Sequence, residues 1–171
     1  CLLNDQAVAA SYLLHHGLCK QVLIIDLDVH QGNGTAKIFS QESRVFTFSM
    51  HAEHNFPFQK ERSDLDVGLP DGTGDNAYLD LLKHHLRTLF QTIKPDFVFY
   101  QSGVDVLKTD KLGKLQLTRE GCRLRDELVF WHCRRAGVPV QVSMGGGYSV
   151  LMRDIVDTHC NTFKVATQIF G

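Results

Sequence analysis

Residues 21–35 read QVLIIDLDVHQGNGT, an apolar run followed by acidic residues, a histidine and two glycines. The apolar part, residues 22–25, is rich in β-branched side chains and predicts a strand buried on both faces of a parallel sheet. Alternation along an extended chain sends Asp26, Asp28 and His30 to one side of that strand. Because open α/β sheets bind ligands at the carboxyl ends of their strands, the sequence predicts a functional site at this point.

The chemistry of this strand end indicates a metal. Two close carboxylates are costly unless a cation or a proton neutralises them, although capping or turn roles for Asp26 and Asp28 are the simpler alternative. Asp105 follows a later apolar strand in the stretch QSGVD. With Asp28 and His30 it makes a set of two carboxylates and one imidazole, which leaves positions on a divalent ion for water and substrate, as in a catalytic metal site. The alternative for Asp105 is a cap for the next turn.

Length and composition exclude several classes of protein. At 171 residues, 43% hydrophobic and 22% charged, the chain has the composition of a globular protein with room for a core. Its formal net charge of −1 gives no reason to expect nucleic-acid binding. With no apolar stretch of membrane-spanning length and no signal peptide, we expect a cytoplasmic protein without a membrane partner. The five cysteines are odd in number and form no Cys-x-x-Cys pair, so we expect free thiols.

The remaining pattern alternates strands and helices, which predicts one α/β domain over residues 1–171. We expect helices at residues 4–16, 34–39, 75–93, 118–136 and 151–170, and further strands at 44–50, 65–69, 97–100 and 138–142. The tandem His15 and His16 fall at the end of the first helix, where a histidine interacts favourably with the helix C-terminus. A catalytic role is the alternative for this pair.

Two loops at strand ends carry further candidate residues. Phe56 and Phe58 could line a substrate channel or fold back onto the core. His51 and His54 in the same loop are spaced like a metal pair, a weaker alternative. After the fourth clear strand, the glycines at 145–147 free the backbone for close approach to a ligand or another strand. Tyr148 follows them, and its phenol could donate a hydrogen bond to a polarised carbonyl oxygen or serve only as a lid on the core.

Four runs of residues resemble one known family. They are CLLND at 1–5, DLDVHQGNGT at 26–35, YQSGVDVLKTDKLG at 100–113 and MGGGYS at 144–149. Together they are similar to the zinc-dependent histone deacetylase family, which includes acetoin-utilisation proteins and acetylpolyamine amidohydrolases, and most of all to its class IV and bacterial members. The resemblance implies a three-layer, arginase-like α/β fold with a mainly parallel sheet flanked by helices. It also implies zinc-dependent hydrolysis of acetyl-lysine or a related acetylated amine.

The same resemblance assigns roles by motif. Asp28, His30 and Asp105 would bind zinc, and Tyr148 would stabilise the oxyanion. Asp26 and Asn33 would orient catalytic histidines. A monovalent cation, potassium, would lie near Asp26, Asp28, His30, Ser49 and Met50, and the acyl-lysine channel would be lined by Phe56, Leu112, Gly146 and Gly147.

One departure from the family pattern concerns the catalytic histidines. The family's tandem histidines precede a segment that corresponds to Cys1–Asp5, so His15 and His16 do not match them. We therefore expect the N-terminal part of the deacetylase fold to be missing from this chain, and the chain alone to be a poor catalyst. The predicted substrates are an acetylated lysine in a protein or peptide, or a small acetylated amine. A metal-binding interaction module without catalysis is the third interpretation.

Overall fold

The computed structural model describes residues 3–171, so Cys1 and Leu2 of the CLLND run lie outside the described residues. Within this range a five-stranded sheet has the order β3-β2-β1-β4-β5, and every neighbouring pair is parallel. The strands are β1 Val22–Asp26, β2 Val45–Ala52, β3 Leu65–Leu69, β4 Phe97–Gly103 and β5 Val140–Gly145. The predicted buried parallel strand thus becomes the centre of the sheet.

Helices connect the strands and follow the predicted ranges closely. They are α1 Asp5–His15, α2 Asn33–Phe39, α3 Asp75–Thr92, α4 Arg119–Ala136 and α5 Met152–Phe170. The Asn4 side chain accepts a hydrogen bond from the Ala7 amide, and Thr118 accepts one from Gly121, which satisfies free N–H groups at the starts of α1 and α4. Gly137 ends α4 in the left-handed region with φ of 67°.

Both faces of the sheet are covered, as the central strand shows. Leu23 and Ile25 pack in the large core cluster with side chains of α3, α4 and α5. Val22 and Ile24 point the other way and pack in a second cluster with residues of α1 and with Phe39 of α2. This arrangement of helix, sheet and helix confirms the predicted three-layer α/β fold with a parallel sheet.

The strands that carry the site differ from prediction at their ends. The sequence predicts that the third apolar strand stops at Tyr100, but β4 continues to Gly103 because its backbone keeps pairing with β5 up to Gly103 and Gly145. Backbone hydrogen bonds between strands do not require apolar side chains, so the hydrophobic pattern of the sequence did not predict the last three residues of β4. Asp105 therefore lies two residues beyond β4, just as Asp28 lies two residues beyond β1.

Two findings bear on the environment of the chain. Among the described residues, Cys19, Cys122 and Cys133 are buried free thiols and Cys160 is an exposed one, as the sequence predicts. The helices of residues 3–171 include none that combines the length and the apolar character needed to cross a membrane.

Candidate metal centre

The structure brings Asp28, His30 and Asp105 together at the carboxyl ends of β1 and β4. One potential ligand atom of each residue lies within 4.8 Å of those of the other two. His30 Nδ1 is 2.9 Å from Asp28 Oδ1 and 3.2 Å from Asp105 Oδ2. In the part of the chain that the structure describes, this is the one cluster of three or more such groups. The two carboxylates and the imidazole suit a divalent ion such as zinc.

Backbone hydrogen bonds hold the two carboxylates in place. The Val29 amide donates to Asp105 Oδ1 at 2.9 Å, which ties the segment after β4 to the segment after β1 and leaves Oδ2 facing His30. The His30 amide donates to Asp28 Oδ1 at 2.9 Å, and the Asp28 amide donates to Asp26 Oδ1 at 3.1 Å. Asp28 is therefore held by a local bond, whereas Asp105 is held by a bond from a residue 76 positions away in the chain.

Electrostatics within the cluster show how strongly it attracts positive charge. Hydrogen bonds to Asp105 and Asp28 raise the pKa of His30 to about 10, despite the opposing effect of burial. Burial raises the pKa of Asp105 to about 6. Burial also acts to raise the pKa of Asp28, but hydrogen bonds from His30 outweigh it and the pKa is lowered. A proton on His30 thus offsets one of the two carboxylate charges, and a divalent cation would offset both.

Two glycines make room for the carboxylates. A Cβ at Gly103 would lie 2.7 Å from Asp28 Oδ2 and 2.8 Å from Asp28 Cα. A Cβ at Gly146 would overlap the carboxylate of Asp105, and Gly146 also has a φ of +56°. Gly146, one of the glycines predicted to permit close approach, and Gly103, which the sequence analysis did not single out, therefore let the backbone pass directly against the cluster.

Asp26, the last residue of β1, is paired in register with Ser49 of β2, three residues before the end of that strand. Burial, followed by the neighbouring Asp28 carboxylate, raises the pKa of Asp26 well above its usual value. The Ser49 hydroxyl is 3.3 Å from the Gly32 amide that donates to it, and 3.0 Å from His51 Nδ1. Met50 is buried beside them. A potassium ion at this position stays a prediction.

Asn33 is the first residue of α2, half-buried, next to the Gly32 backbone that covers Asp26. This placement is compatible with the predicted role of Asp26 and Asn33 in orienting histidines, which also stays a prediction.

Exposed side chains on the loops after β2, β4 and β5 form what we call the rim, which comprises Tyr148, the predicted channel residues Phe56 and Leu112, and Phe58. Tyr148 is 61% exposed, three residues beyond β5, and Leu112 and Phe56 are exposed as well. Phe58 is 89% exposed, and its ring meets that of Phe56 edge to face with centroids 6.2 Å apart. Phe56 and Phe58 therefore do not fold back onto the core, and the exposure of Tyr148 argues against a lid on it.

Sequence reasoning missed two residues that join the rim loops. The Asp110 carboxylate accepts hydrogen bonds from the amides of Leu112, Gly113 and Tyr148. Asn55 donates through Nδ2 to the Leu112 carbonyl at 3.0 Å. The run Asp110 to Gly113 has the signature of an Asx turn, which could have revealed the local bonds but not the one to Tyr148.

Other histidines stay outside the cluster. His15 lies in the last turn of α1 and His16 caps its C-terminus, as the simpler interpretation of the pair predicts. His51 is buried against Ser49, whereas His54 is exposed and faces Asp71. His51 and His54 therefore do not form a metal pair.

Comparison with known proteins gives the class of this fold and site. The model of the histone deacetylase domain family matches residues 1–163. The chain belongs to the histone deacetylase family.

Individual relatives extend this result. The chain is 49% identical over 170 residues to an uncharacterized protein of Picosynechococcus sp., with 99% of this chain and 57% of that protein covered. It is 31% identical over 151 residues to histone deacetylase 2 of Arabidopsis thaliana, with 86% of this chain and 39% of that protein covered. The chain thus spans little more than half of the first relative and less of the second.

Solved structures agree with the sequence relatives. The crystal structure of a histone deacetylase homolog from Aquifex aeolicus superposes with a TM-score of 0.83 at 26% identity, covering 98% of this chain and 47% of that one. A histone deacetylase homolog complexed with SAHA gives the same TM-score, identity and coverage. The fold is therefore that of the deacetylases, of which this chain spans about half.

Proposed function

We propose that this chain forms the zinc-binding part of a hydrolytic deacetylase that removes acetyl groups from acetyl-lysine in proteins. The observation that carries the proposal is the convergence of Asp28, His30 and Asp105, with His30 Nδ1 within 3.2 Å of an oxygen of each carboxylate. Zinc is the cofactor of choice because these nitrogen and oxygen donors leave positions free for water and substrate.

Bound there, a zinc ion would supply Lewis acidity toward an amide carbonyl and lower the pKa of a water molecule. The chain's own residues contribute orientation and charge stabilisation. Tyr148 presents its phenol from the rim, where it can donate a hydrogen bond to the oxygen on which negative charge develops. Gly146 and Gly147 let the backbone pass close to an extended acyl chain, with Phe56 and Leu112 as apolar walls.

The exposed rim supports an acyl-lysine side chain entering from a larger protein or peptide. A homolog with the same fold binds SAHA, and several relatives are named histone deacetylases, which supports the same substrate class. A small acetylated amine, such as an acetylpolyamine, is the competing substrate. An interaction module without catalysis is the competing role.

The proton transfers of the reaction need a general base, and we propose that His15 and His16 do not provide it. Both are exposed at the C-terminal end of α1, and neither joins the ligand cluster. The chain alone should therefore bind metal well but turn over slowly, far below the rate of about 1 s⁻¹ or more that is ordinary for enzymes.

The first experiment measures zinc content and affinity for the purified chain and for Asp28→Ala and Asp105→Ala. We expect one zinc per chain, lost in both variants but kept in Asp71→Ala, which removes an exposed carboxylate that faces His54 and Lys114. A folded chain that binds no zinc, or binds it equally in all variants, would contradict the proposed site.

The second experiment separates the substrates. Zinc-loaded chain is incubated with an acetyl-lysine peptide and with an acetylated polyamine, and released acetate is measured. Slow, zinc-dependent release from the peptide alone is the expected result. Preference for the polyamine would favour the small-amine substrate, and turnover near 1 s⁻¹ would contradict the expected need for a further base.

A further inference from the structure

One ion pair in the described part of the chain has both side chains fully buried, and it lies next to the segments that carry the candidate ligands. Arg125 and Asp126 of α4 are both fully buried. Arg125 Nε donates to Asp126 Oδ1 at 2.9 Å, and Nη2 lies 2.9 Å from the same oxygen without hydrogen-bond geometry. A buried ion pair can often be replaced by apolar side chains without loss of stability, so its burial alone is weak evidence for a stabilising role.

The remaining nitrogen of the guanidinium contacts both strands of the metal centre. Arg125 Nη1 donates to the Gly103 carbonyl at 2.6 Å and lies 3.4 Å from the Leu27 carbonyl. Leu27 directly precedes Asp28, and Gly103 lies two residues before Asp105. One nitrogen thus bridges the two segments that carry the carboxylates.

The contact from Arg125 lies just beyond the point where the hydrogen bonds of the sheet stop joining β1 and β4. The paired register of β1 and β4 ends at Asp26 and Gln101, with one further bond from the Leu27 amide to the Gln101 carbonyl at 3.1 Å. Beyond that point the two segments are joined by the Arg125 contact, by the bond from Val29 to Asp105 and by His30 Nδ1, which lies close to both carboxylates.

Asp126, the counterion of Arg125, is itself hydrogen-bonded to side chains of β4 and α5. Asp126 accepts hydrogen bonds from the Tyr100 hydroxyl of β4 and, at 2.6 Å, from Thr162 Oγ1 of α5. With Asp126 held on both oxygens, the Arg125 side chain has one well-defined position under the cluster.

We propose that Arg125 is a positioning residue for the metal centre. By holding the Leu27 and Gly103 carbonyls at one nitrogen, it sets the spacing of Asp28 and Asp105, and Asp126 keeps it in place. This inference rests on the proposed metal site, and it assigns α4 a part in building that site. Partners outside the direct ligands typically change metal affinity by about 10- to 100-fold when removed.

The test uses Arg125→Lys, which keeps the positive charge beside Asp126 but has one ammonium in place of the fork that spans the carbonyls and the carboxylate. Zinc affinity is measured by chelator competition, and bound Co²⁺ is used as a spectroscopic probe of ligand geometry. Melting temperature is recorded for every variant. We expect about 10- to 100-fold weaker zinc binding and an altered Co²⁺ visible spectrum.

The matched control is Val129→Ala, which shortens another fully buried side chain of α4 that takes no part in the hydrogen bonds of Arg125 and Asp126. It should lower the melting temperature while zinc affinity and the Co²⁺ spectrum stay those of the wild type. If Arg125→Lys does not fold, the double variant Arg125→Gln with Asp126→Asn replaces it, since that variant leaves no buried charge and keeps polar partners for Tyr100 and Thr162.

The outcomes separate this inference from the proposed function. A folded Arg125 variant with wild-type zinc affinity and Co²⁺ spectrum overturns the positioning role while the metal site stands. A wild-type chain that binds neither zinc nor Co²⁺ overturns both.

Discussion

The ligand cluster and the rim that carries Tyr148 lie at the same edge of the sheet but are held in different ways. The side chain of Asp105 is 2% exposed, and it is fixed by the Val29 amide and by the glycine backbone at 146. Tyr148 is 61% exposed and is held only through its backbone, since its amide donates to Asp110 and its carbonyl accepts from the Lys111 amide. The contrast indicates that the metal position is built into the core, whereas the substrate-facing groups depend on loops.

The largest effect should come from filling the space beside Asp105. Gly146→Ala should weaken zinc binding by about 100-fold, since the new Cβ would overlap the Asp105 carboxylate. Gly137→Ala is the matched control, because Gly137 has a φ of +67° but nothing within 4 Å of a new Cβ. Both variants should lose about 1–2 kcal/mol of stability from left-handed strain. Equal zinc affinity in the two, measured by chelator competition, would mean that the core does not fix the ligand.

Removing the phenolic hydroxyl of Tyr148 should lower turnover without changing zinc affinity. Tyr148→Phe should lower acetate release from an acetyl-lysine peptide by about 100-fold, the typical loss when one donor to a developing oxyanion is removed. Zinc affinity and melting temperature should not change, because the side chain is exposed. Tyr12→Phe, at another exposed tyrosine, is the control and should leave all three quantities unchanged. Weaker zinc binding in Tyr148→Phe would show that a side chain of the rim also contributes to zinc affinity.

Loosening the rim should cost moderate stability. Asp110→Ala removes the acceptor for the amides of Leu112, Gly113 and Tyr148 and should destabilise the chain by about 2 kcal/mol in urea unfolding. It should also speed amide hydrogen exchange at these positions while zinc affinity stays unchanged. Asp71→Ala, which breaks only exposed ion pairs, should cost less than about 1 kcal/mol. Equal losses in the two variants would contradict the role of Asp110.

The smallest effect should come from the outermost residue of the rim. Phe58→Ser should change the free energy of unfolding by less than about 0.5 kcal/mol, since the ring is 89% exposed. Val165→Ser, at a buried position of the core cluster, provides the contrast and should be strongly destabilising. A loss of several kcal/mol in Phe58→Ser would mean that the loop packs on the core in solution.

Much of this architecture could be predicted because its signals are local. The apolar run at 22–25, the caps at Asn4 and Thr118 and the stop at Gly137 each follow from a few neighbouring residues. Strand ends were less predictable, since the last residues of β4 are held by pairing with β5 rather than by their own side chains. The three candidate ligands could be named because each lies within a few residues of the carboxyl end of a recognisable strand.

The sequence by itself determined the order of strands and helices, the α/β class and the set of residues able to bind a metal, because periodicity, turn chemistry and donor type are properties of short segments. Tertiary structure alone decided how far apart Asp28 and Asp105 lie, which loops Asp110 and Asn55 join, and that Arg125 reaches the carbonyls of Leu27 and Gly103. These contacts join residues up to 98 positions apart in the chain. Which partner a buried polar group finds at such a separation depends on how the layers pack, and no local pattern records it.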